Sequence, residues 1–178
     1  MEVIDAIFTR RSVRQFDSSK EISREDLEEI IKAAQYAPSA HNMQPWEFLV
    51  ITDKVQMAAL RHVQPWTSFA KEASAVILVC GDTNQSFSRH KEDEIWNYSD
   101  IDCSLATQNL LLAAHAKGIG ACFCGAAPMP KVISGLQEMF NLPESIRPLS
   151  IVILGYPKEE PKQPIDRFKP EKIHWEKW

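Results

Sequence analysis

The chain has 178 residues, of which 44% are hydrophobic and 25% are charged, and its formal net charge is −4. This length and composition suit one globular domain over residues 1–178, and the negative charge argues against a general nucleic-acid binder. Residues 1–14 mix charged and apolar positions rather than forming a secretory signal, and no stretch approaches the roughly 18 apolar residues of a membrane span. We therefore expect a soluble, cytoplasmic protein that contacts no membrane.

Apolar spacing predicts three helices and two strands in the first half of the chain. A short opening helix is marked by Val3, Ile4, Ile7 and Phe8. Ser23 and Asp26 predict the N-cap of a second helix that Pro38 ends. Runs rich in Val, Ile and Leu at 48–51 and 75–80 indicate buried strands, with a helix at 54–62 between them. Periodicity alone makes this a crossover pattern.

The second half continues this alternation. Residues 81–98 are polar and aperiodic, which favours a mobile or substrate-facing excursion. Ser99 and Asp102 predict a capping pair for a helix that ends at Gly118 and is apolar on nearly all sides. Such a helix belongs in the middle of a domain or in a subunit interface. Strands at 121–124 and 149–154 then flank a helix at 130–140.

The remaining residues, 157–178, form a tail that combines four prolines with aromatic side chains, including Trp175 and Trp178. Two tryptophans are unusual in a solvated tail, so we expect it to lie along a partner subunit. The four cysteines lack the spacing of a zinc site and are expected to be reduced and mostly buried, and the histidines show no metal-binding spacing. Trp66 is expected to be a packing residue, with a place at the edge of the pocket as the alternative. His115 is expected to be a partly buried hydrogen-bonding residue.

The first group with chemical potential is Arg10, Arg11, Ser12 and Arg14, directly after the opening helix. Three guanidinium groups and a hydroxyl suit a phosphate dianion, because the planar fork of arginine matches two phosphate oxygens. A solvated helix end, whose cations face the negative pole of the helix dipole, explains the same residues equally well. Neither a dinucleotide-binding nor a P-loop glycine motif is present.

Two further segments could contact a flat polar ring. The loop at 38–46 is stiffened by two prolines and carries neutral hydrogen-bonding side chains, although an ordinary connector would look similar. The segment at 118–126 places glycines on both sides of a short strand, which permits close approach of backbone to a ligand.

Taken together, four segments resemble the nitroreductase family. They are residues 10–16, 38–46, 102–118 and 167–178, in the same order and at familiar separations. The resemblance spans essentially the whole chain. It implies an α+β fold with a central, mostly antiparallel sheet flanked by helices, which replaces the crossover interpretation. It also implies an intertwined homodimer with two FMN molecules at its interface.

The resemblance also implies roles for individual residues. Arg10, Arg11, Ser12 and Arg14 would hold the ribityl phosphate, with Arg167 from the tail as a further cation. The same flavin would be reached from the other subunit by Pro38, Ser39, Ala40 and Asn42, and Gln44 would add a polar contact. The backbone of Cys124, Gly125 and Ala126 would pass the edge of the isoalloxazine ring and donate a hydrogen bond to flavin N5.

The activity that this resemblance implies is reduction of nitro or quinone-like compounds by NADH or NADPH, through a ping-pong hydride mechanism at flavin N5. No catalytic side chain and no metal are expected. A related flavoenzyme, of the reductive dehalogenase or flavin-fragmenting type, and a non-catalytic flavin-binding or sensor module are the alternatives. The chain is shorter than many members of the family and has Cys124 where many longer members carry an acidic residue, so substrate range depends on residues 81–98.

Overall fold

The computed structural model describes residues 1–91, 94–161 and 164–178. The α-helices within these ranges are α1 (Val3–Thr9), α2 (Arg24–Gln35), α3 (Lys54–Ala59), α4 (Ser99–Ala116) and α5 (Pro130–Phe140). The strands are β1 (Trp46–Ile51), β2 (Ala75–Asp82), β3 (Ser88–Lys91), β4 (Glu94–Asn97), β5 (Gly120–Gly125) and β6 (Ile146–Gly155). Short 3₁₀ helices occur at Ala40–Asn42, Leu60–His62, Pro65–Glu72 and Pro170–Lys172. None of the helices in these ranges combines the length and apolar character that crossing a membrane requires.

The centre of the fold is a four-stranded sheet with strand order β1-β2-β6-β5. All three strand pairs in it are antiparallel. The expected α+β fold with an antiparallel central sheet is confirmed. The crossover interpretation of β1 and β2 was wrong, because two buried strands joined by a helix have the same hydrophobic pattern whether the chain returns parallel or antiparallel.

Each face of the sheet carries its own apolar core. On one face α2 and α4 pack against alternate residues of the strands, with Ile30, Leu110, Ile77 and Leu154 fully buried. On the other face α3, α5 and the 3₁₀ helices Leu60–His62 and Pro65–Glu72 cover the intervening residues, with Leu136 of α5 packed in the same core as Leu78, Ile151 and Ile153. The strands are buried on both faces and therefore read as continuous apolar runs rather than as alternating ones.

Two of the predicted helix ends are confirmed and one is not. Ser23 caps α2 by accepting a hydrogen bond from the Asp26 backbone N–H at 3.0 Å, and α4 is followed by Gly118 in the left-handed region at φ +74°. The expected Ser99–Asp102 capping pair is wrong. Ser99 is the first helical residue, and Tyr98 occupies the N-cap position without a side-chain cap. The Asp102 carboxylate instead reaches the loop that follows α2.

Residues 81–98 contain regular structure that their composition does not indicate. β3 and β4 pair antiparallel, with Ser88 opposite Asn97. The two strands were not predicted, because cross-strand pairing can order a polar segment that lacks periodicity. That the segment is mobile or faces the substrate stays a prediction. Residues 92–93 of this segment, like 162–163 of the tail, lie outside the described residues.

Candidate flavin-binding site

The arginine-rich segment runs in extended conformation along the edge of β5. Ser12 forms a parallel bridge with Ala121, and the Val13 N–H donates to the Ala121 carbonyl at 3.0 Å. Side chains of an extended segment alternate in direction, so Arg10, Ser12 and Arg14 share one side. This backbone pairing brings the cationic side chains to the sheet edge.

The structure brings the tail arginine to the same place. A cavity of about 700 Å³, here called the arginine cavity, is lined by Arg11, Ser12, Val13, Arg14, Gln15, Glu159, Glu160, Pro161, Ile165 and Arg167. Arg10 lines an adjoining cavity of about 730 Å³ together with Arg11 and Arg167. Burial and the charges of Arg167 and Arg11 lower the pKa of the Arg10 guanidinium. Mutual repulsion of this kind is relieved when an anion binds between the cations.

A third cavity, of about 610 Å³, lies directly beside the arginine cavity and shares Arg14 with it. We call it the β5-edge cavity, and it is lined by Arg14, Gln64, Pro65, Trp66, Ser68, Phe69, Cys122, Phe123, Cys124, Gly125 and Met129. Three of its apolar side chains are partly in solvent: Trp66 is 79% exposed, Phe123 45% and Met129 40%. The cavity therefore has a cationic end and an apolar rim.

The backbone of β5 presents polar groups to this cavity. In an antiparallel strand the N–H and C=O of one residue point to the same side, and alternate residues point to opposite sides. The Ala121 carbonyl accepts from Val13, and the Gly125 carbonyl accepts from Gln64 Nε2 at 2.7 Å, both on the side away from β6. The Gly125 N–H therefore also points away from β6. Ala126 faces the other way, since its N–H donates to the Leu149 carbonyl at 2.8 Å.

The two cysteines of β5 face the core rather than solvent. Cys122 is 1% and Cys124 8% exposed, and all four cysteines of the chain are free and buried, as predicted. A hydrogen bond with Cys124, together with Arg14 and Arg10, lowers the pKa of the Cys122 thiol against the opposing effect of burial. The positive field of the arginines thus extends to the strand that borders the cavity.

The loop after α2 lies in another part of the subunit. Its backbone is in the left-handed region at His41 (φ 50°), Asn42 (φ 56°) and Gln44 (φ 52°), which is uncommon for residues other than glycine. Ser39 Oγ accepts from the Gln44 N–H at 3.0 Å, and Gln44 Nε2 donates to Asn42 Oδ1 at 3.0 Å. Pro38 and Ala40 flank Ser39, whereas Gln44 lines a cavity with Ile31, Gln35, Trp46, Glu47 and Phe48.

Asp102 of α4 secures this strained loop. Its Oδ1 accepts from the Ala40 N–H at 3.0 Å, while its buried Oδ2 has no hydrogen-bond partner among the described residues. Burial raises the pKa of the Asp102 carboxyl. The loop is also held by His41, whose ring stacks on Phe87 with centroids 4.1 Å apart. These contacts account for a rigid loop conformation that its composition alone does not predict.

The structure thus divides the predicted site residues into two groups. Arg10, Arg11, Ser12, Arg14 and Arg167 meet beside the β5 edge with Cys124 and Gly125. Ala126 is fully buried and lines none of these three cavities. Pro38, Ser39, Ala40, Asn42 and Gln44 form the separate loop held by Asp102. Sequence reasoning missed Gln64, Phe123 and Met129. Its preferred interpretation of Trp66 as a packing residue was wrong, because that side chain is mostly exposed, and the structure places Trp66 in the cavity lining, as the alternative had it. The signal available in the sequence was the run Gln64-Pro65-Trp66, but the burial of Gln64 is visible only in the structure.

Fold and site together define a protein of the nitroreductase class, and the comparisons agree. The model of the nitroreductase family matches residues 7–156, and the chain belongs to that family. The family resemblance and the oxidoreductase class expected from the sequence are confirmed.

Relatives and solved structures cover nearly the whole chain. A relative from Archaeoglobus fulgidus, provisionally named an NADH dehydrogenase/NAD(P)H nitroreductase, is 42% identical over 99% of both chains. A solved structure from Bacteroides thetaiotaomicron with the same provisional name has a TM-score of 0.89 and 33% identity, covering 99% of this chain and 98% of the other. An FMN-dependent nitroreductase from Clostridium difficile has a TM-score of 0.85 and 25% identity, covering 98% and 99%. FMN, the cofactor expected from the sequence, is thus named for a structural neighbour.

Proposed function

We propose that this protein is an FMN-dependent oxidoreductase that uses NADH or NADPH to reduce nitro or quinone-like compounds. The observation that carries the proposal is the pair of adjoining cavities that share Arg14. One is rich in cations and suits a phosphate, while the other combines a backbone donor with an apolar rim and suits a flat ring. FMN has these two parts joined in one molecule.

The residues present fit the phosphate end of FMN. Arg11 and Arg167 lie close enough to Arg10 to lower the pKa of its guanidinium, and a phosphate dianion bound beside Arg10 would offset that repulsion. The Ser12 hydroxyl and Arg14 supply further donors on the same extended segment. These five residues would hold the phosphate.

The residues of β5 fit the ring end. Gly125 lines the cavity and has no Cβ, so a ligand can approach its backbone closely. Of the predicted segment Cys124, Gly125 and Ala126, the Ala126 N–H is already engaged with Leu149. The Gly125 N–H is therefore the proposed donor to flavin N5.

When bound, FMN supplies hydride acceptance from the nicotinamide at N5 and onward transfer to the oxidant, in a ping-pong sequence. The chain itself binds, orients and shields. Trp66, Phe123 and Met129 form an apolar rim that would cover a flat aromatic molecule and exclude water from the reacting face. Arg14 and the backbone donors would stabilise negative charge on the reduced ring.

A homodimer completes the proposal. The loop residues Pro38, Ser39, Ala40 and Asn42, with Gln44, would reach the flavin of the other subunit, and residues 157–178 would extend onto that subunit. Exposed apolar side chains on α1, α4 and the tail support this arrangement, including Phe8 (67% exposed), Ile101 (56%) and Trp175 (78%). The cytoplasmic location expected from the sequence stays a prediction.

The test is an absorption spectrum of the purified protein followed by anaerobic titration with NADH and NADPH. We expect a flavin band that bleaches with at least one nucleotide and returns when a nitroaromatic or a quinone is added. Protein that neither contains nor takes up FMN would overturn the proposal. Bound flavin that neither nucleotide reduces would favour a sensor module. A flavin band that returns only when a halogenated substrate is added would favour the dehalogenase alternative.

A further inference from the structure

Gln64 is a buried amide that joins the two walls of the β5-edge cavity. Its side chain lies in the segment before the 3₁₀ helix Pro65–Glu72, and the residue is 3% exposed. Nε2 donates to the Gly125 carbonyl at 2.7 Å, and Oε1 accepts from the Trp66 N–H at 3.4 Å. A buried side chain that uses both ends of its amide in this way sets the position of one wall relative to the other.

The backbone that Gln64 holds is the C-terminal end of β5. Glycine has a wide choice of backbone dihedrals, and Gly125 is the last residue of its strand. The peptide between Gly125 and Ala126 is clamped from two sides, by Gln64 at its carbonyl and by Leu149 at its N–H. Because the N–H and C=O of one strand residue point to the same side, fixing the Gly125 carbonyl also directs the Gly125 N–H.

We propose that Gln64 is a positioning residue that aims the Gly125 N–H into the cavity, where it meets the flavin ring. This inference rests on the proposed function. Without the amide donor the partly buried Gly125 carbonyl loses its partner, and the glycine can rotate to find another. The N–H then points into the cavity for only part of the time, and its hydrogen bond to the ligand weakens.

The test compares Gln64→Leu, which removes both ends of the amide, with Gln64→Glu, which keeps the acceptor for Trp66. Gln137→Leu is the matched control, since Gln137 Nε2 on α5 also donates to a strand carbonyl, that of Ile146 at 3.1 Å, away from the cavity. FMN affinity is measured by quenching of flavin fluorescence. We expect Gln64→Leu to bind FMN roughly two- to tenfold more weakly than wild type, the range of one neutral hydrogen bond, and Gln137→Leu to bind as wild type does.

The pH profile of Gln64→Glu separates positioning from general damage. A carboxylate repels the Gly125 carbonyl, whereas a protonated carboxyl donates to it. The affinity of Gln64→Glu relative to wild type should therefore rise as the pH is lowered, while the same ratio for Gln64→Leu stays flat. In ¹⁵N-labelled protein, the Gly125 amide should shift on FMN addition in wild type and shift less in Gln64→Leu.

The outcomes distinguish this inference from the proposed function. Wild type that does not bind FMN would overturn both. If wild type binds FMN, two results would each overturn the role of Gln64 and leave the proposed function standing. One is equal FMN affinity in Gln64→Leu and wild type, and the other is an affinity of Gln64→Glu relative to wild type that does not change with pH. If Gln64→Leu does not fold, the Gln64→Glu profile decides alone.

Discussion

The guanidinium of Arg10 is disfavoured both by burial and by neighbouring positive charges, which together lower its pKa. Arg10 contributes to the arginine cluster from the C-terminal end of α1, and nearby Arg11 and Arg167 make its own positive charge less favourable. Clustered cations of this kind are costly in an isolated subunit, because each repels the next at short range. An anion bound between them turns that cost into affinity.

Replacing Arg10 with alanine should therefore weaken the binding of FMN far more than the binding of riboflavin, which has no phosphate. A hydrogen bond to a charged group contributes about 1.5–3 kcal/mol, so we expect roughly ten- to hundredfold weaker FMN binding. Riboflavin affinity should change little. Both are measured by fluorescence titration, with Arg24→Ala as control because Arg24 pairs with Glu28 on the exposed face of α2. Equal losses for both ligands would place the phosphate elsewhere.

Residues whose chemistry lies in the side chain were predicted from the sequence, and residues whose chemistry lies in the backbone were only partly predicted. The arginine segment was identified as a candidate because closely spaced guanidinium groups suit a phosphate, and the family resemblance favoured that interpretation over a solvated helix end. The direction of the Gly125 N–H depends on strand pairing and on Gln64, which is 61 residues away in the chain. No local pattern encodes that contact.

A side-chain hydrogen bond between Thr9 and His115 connects α1 with α4. Thr9 Oγ1 donates its one proton to the Asp5 carbonyl at 2.6 Å. In its contact with His115 Nε2 at 2.8 Å the Thr9 oxygen is therefore the acceptor, and the histidine N–H is the donor. The predicted hydrogen-bonding role of His115 is confirmed. This contact joins the end of α1, and hence the arginine segment, to the central helix.

Protonation of His115 should destabilise the fold. Burial and then the charge of Arg10 lower its pKa below the ordinary value of 6.5. As the pH falls through 6.5, the unfolded chain takes up the proton first, so the free energy of unfolding decreases until the folded pKa is passed. Urea unfolding of wild type and His115→Gln between pH 8 and pH 5 should show a steeper loss in wild type. His62→Gln, at an exposed position, is the control, and parallel pH profiles for wild type and His115→Gln would contradict the prediction.

Helix ends and strand limits show where local rules apply. The Ser23 cap and the Gly118 stop follow from backbone geometry within a few residues, and both were predicted. The pairing of Ser99 with Asp102 satisfied the same local rule and was wrong, since the Asp102 carboxylate is used by Ala40, 62 residues away. A tertiary partner can take a side chain that the local pattern assigns to a cap.

Exposed apolar side chains dominate one part of the whole molecule. The stripe of α1 that predicted the helix is in solvent, with Val3 65%, Ile4 55% and Phe8 67% exposed, whereas Ala6 is buried. Leu105 of α4 is 41% exposed. The helix was thus predicted correctly, but its apolar stripe does not face the core of its own subunit. Large apolar patches on a monomer mark association surfaces.

A charge in that surface should separate the subunits. We expect wild type to sediment at twice the subunit mass and Leu105→Glu to sediment as a monomer with reduced FMN affinity, because a buried unpaired carboxylate opposes association. Val55→Glu is the control, since Val55 on α3 is 77% exposed and lies on the other face of the sheet. The measurement is analytical ultracentrifugation with and without FMN, and monomeric wild type would contradict the proposed dimer.

At the scale of the whole chain, the sequence by itself determined the five α-helices of the described residues, the four apolar runs that became the central sheet, the arginine segment and the family. These depend on periodicity and side-chain chemistry, which are local. The tertiary structure decided the antiparallel return of β2, the pairing of β3 with β4, the placement of Arg167 beside Arg10 and the clamp of Gln64 on Gly125. Each of those depends on which distant segments pack together, because hydrogen bonds and charge interactions act over a few ångströms in space whatever their separation in sequence.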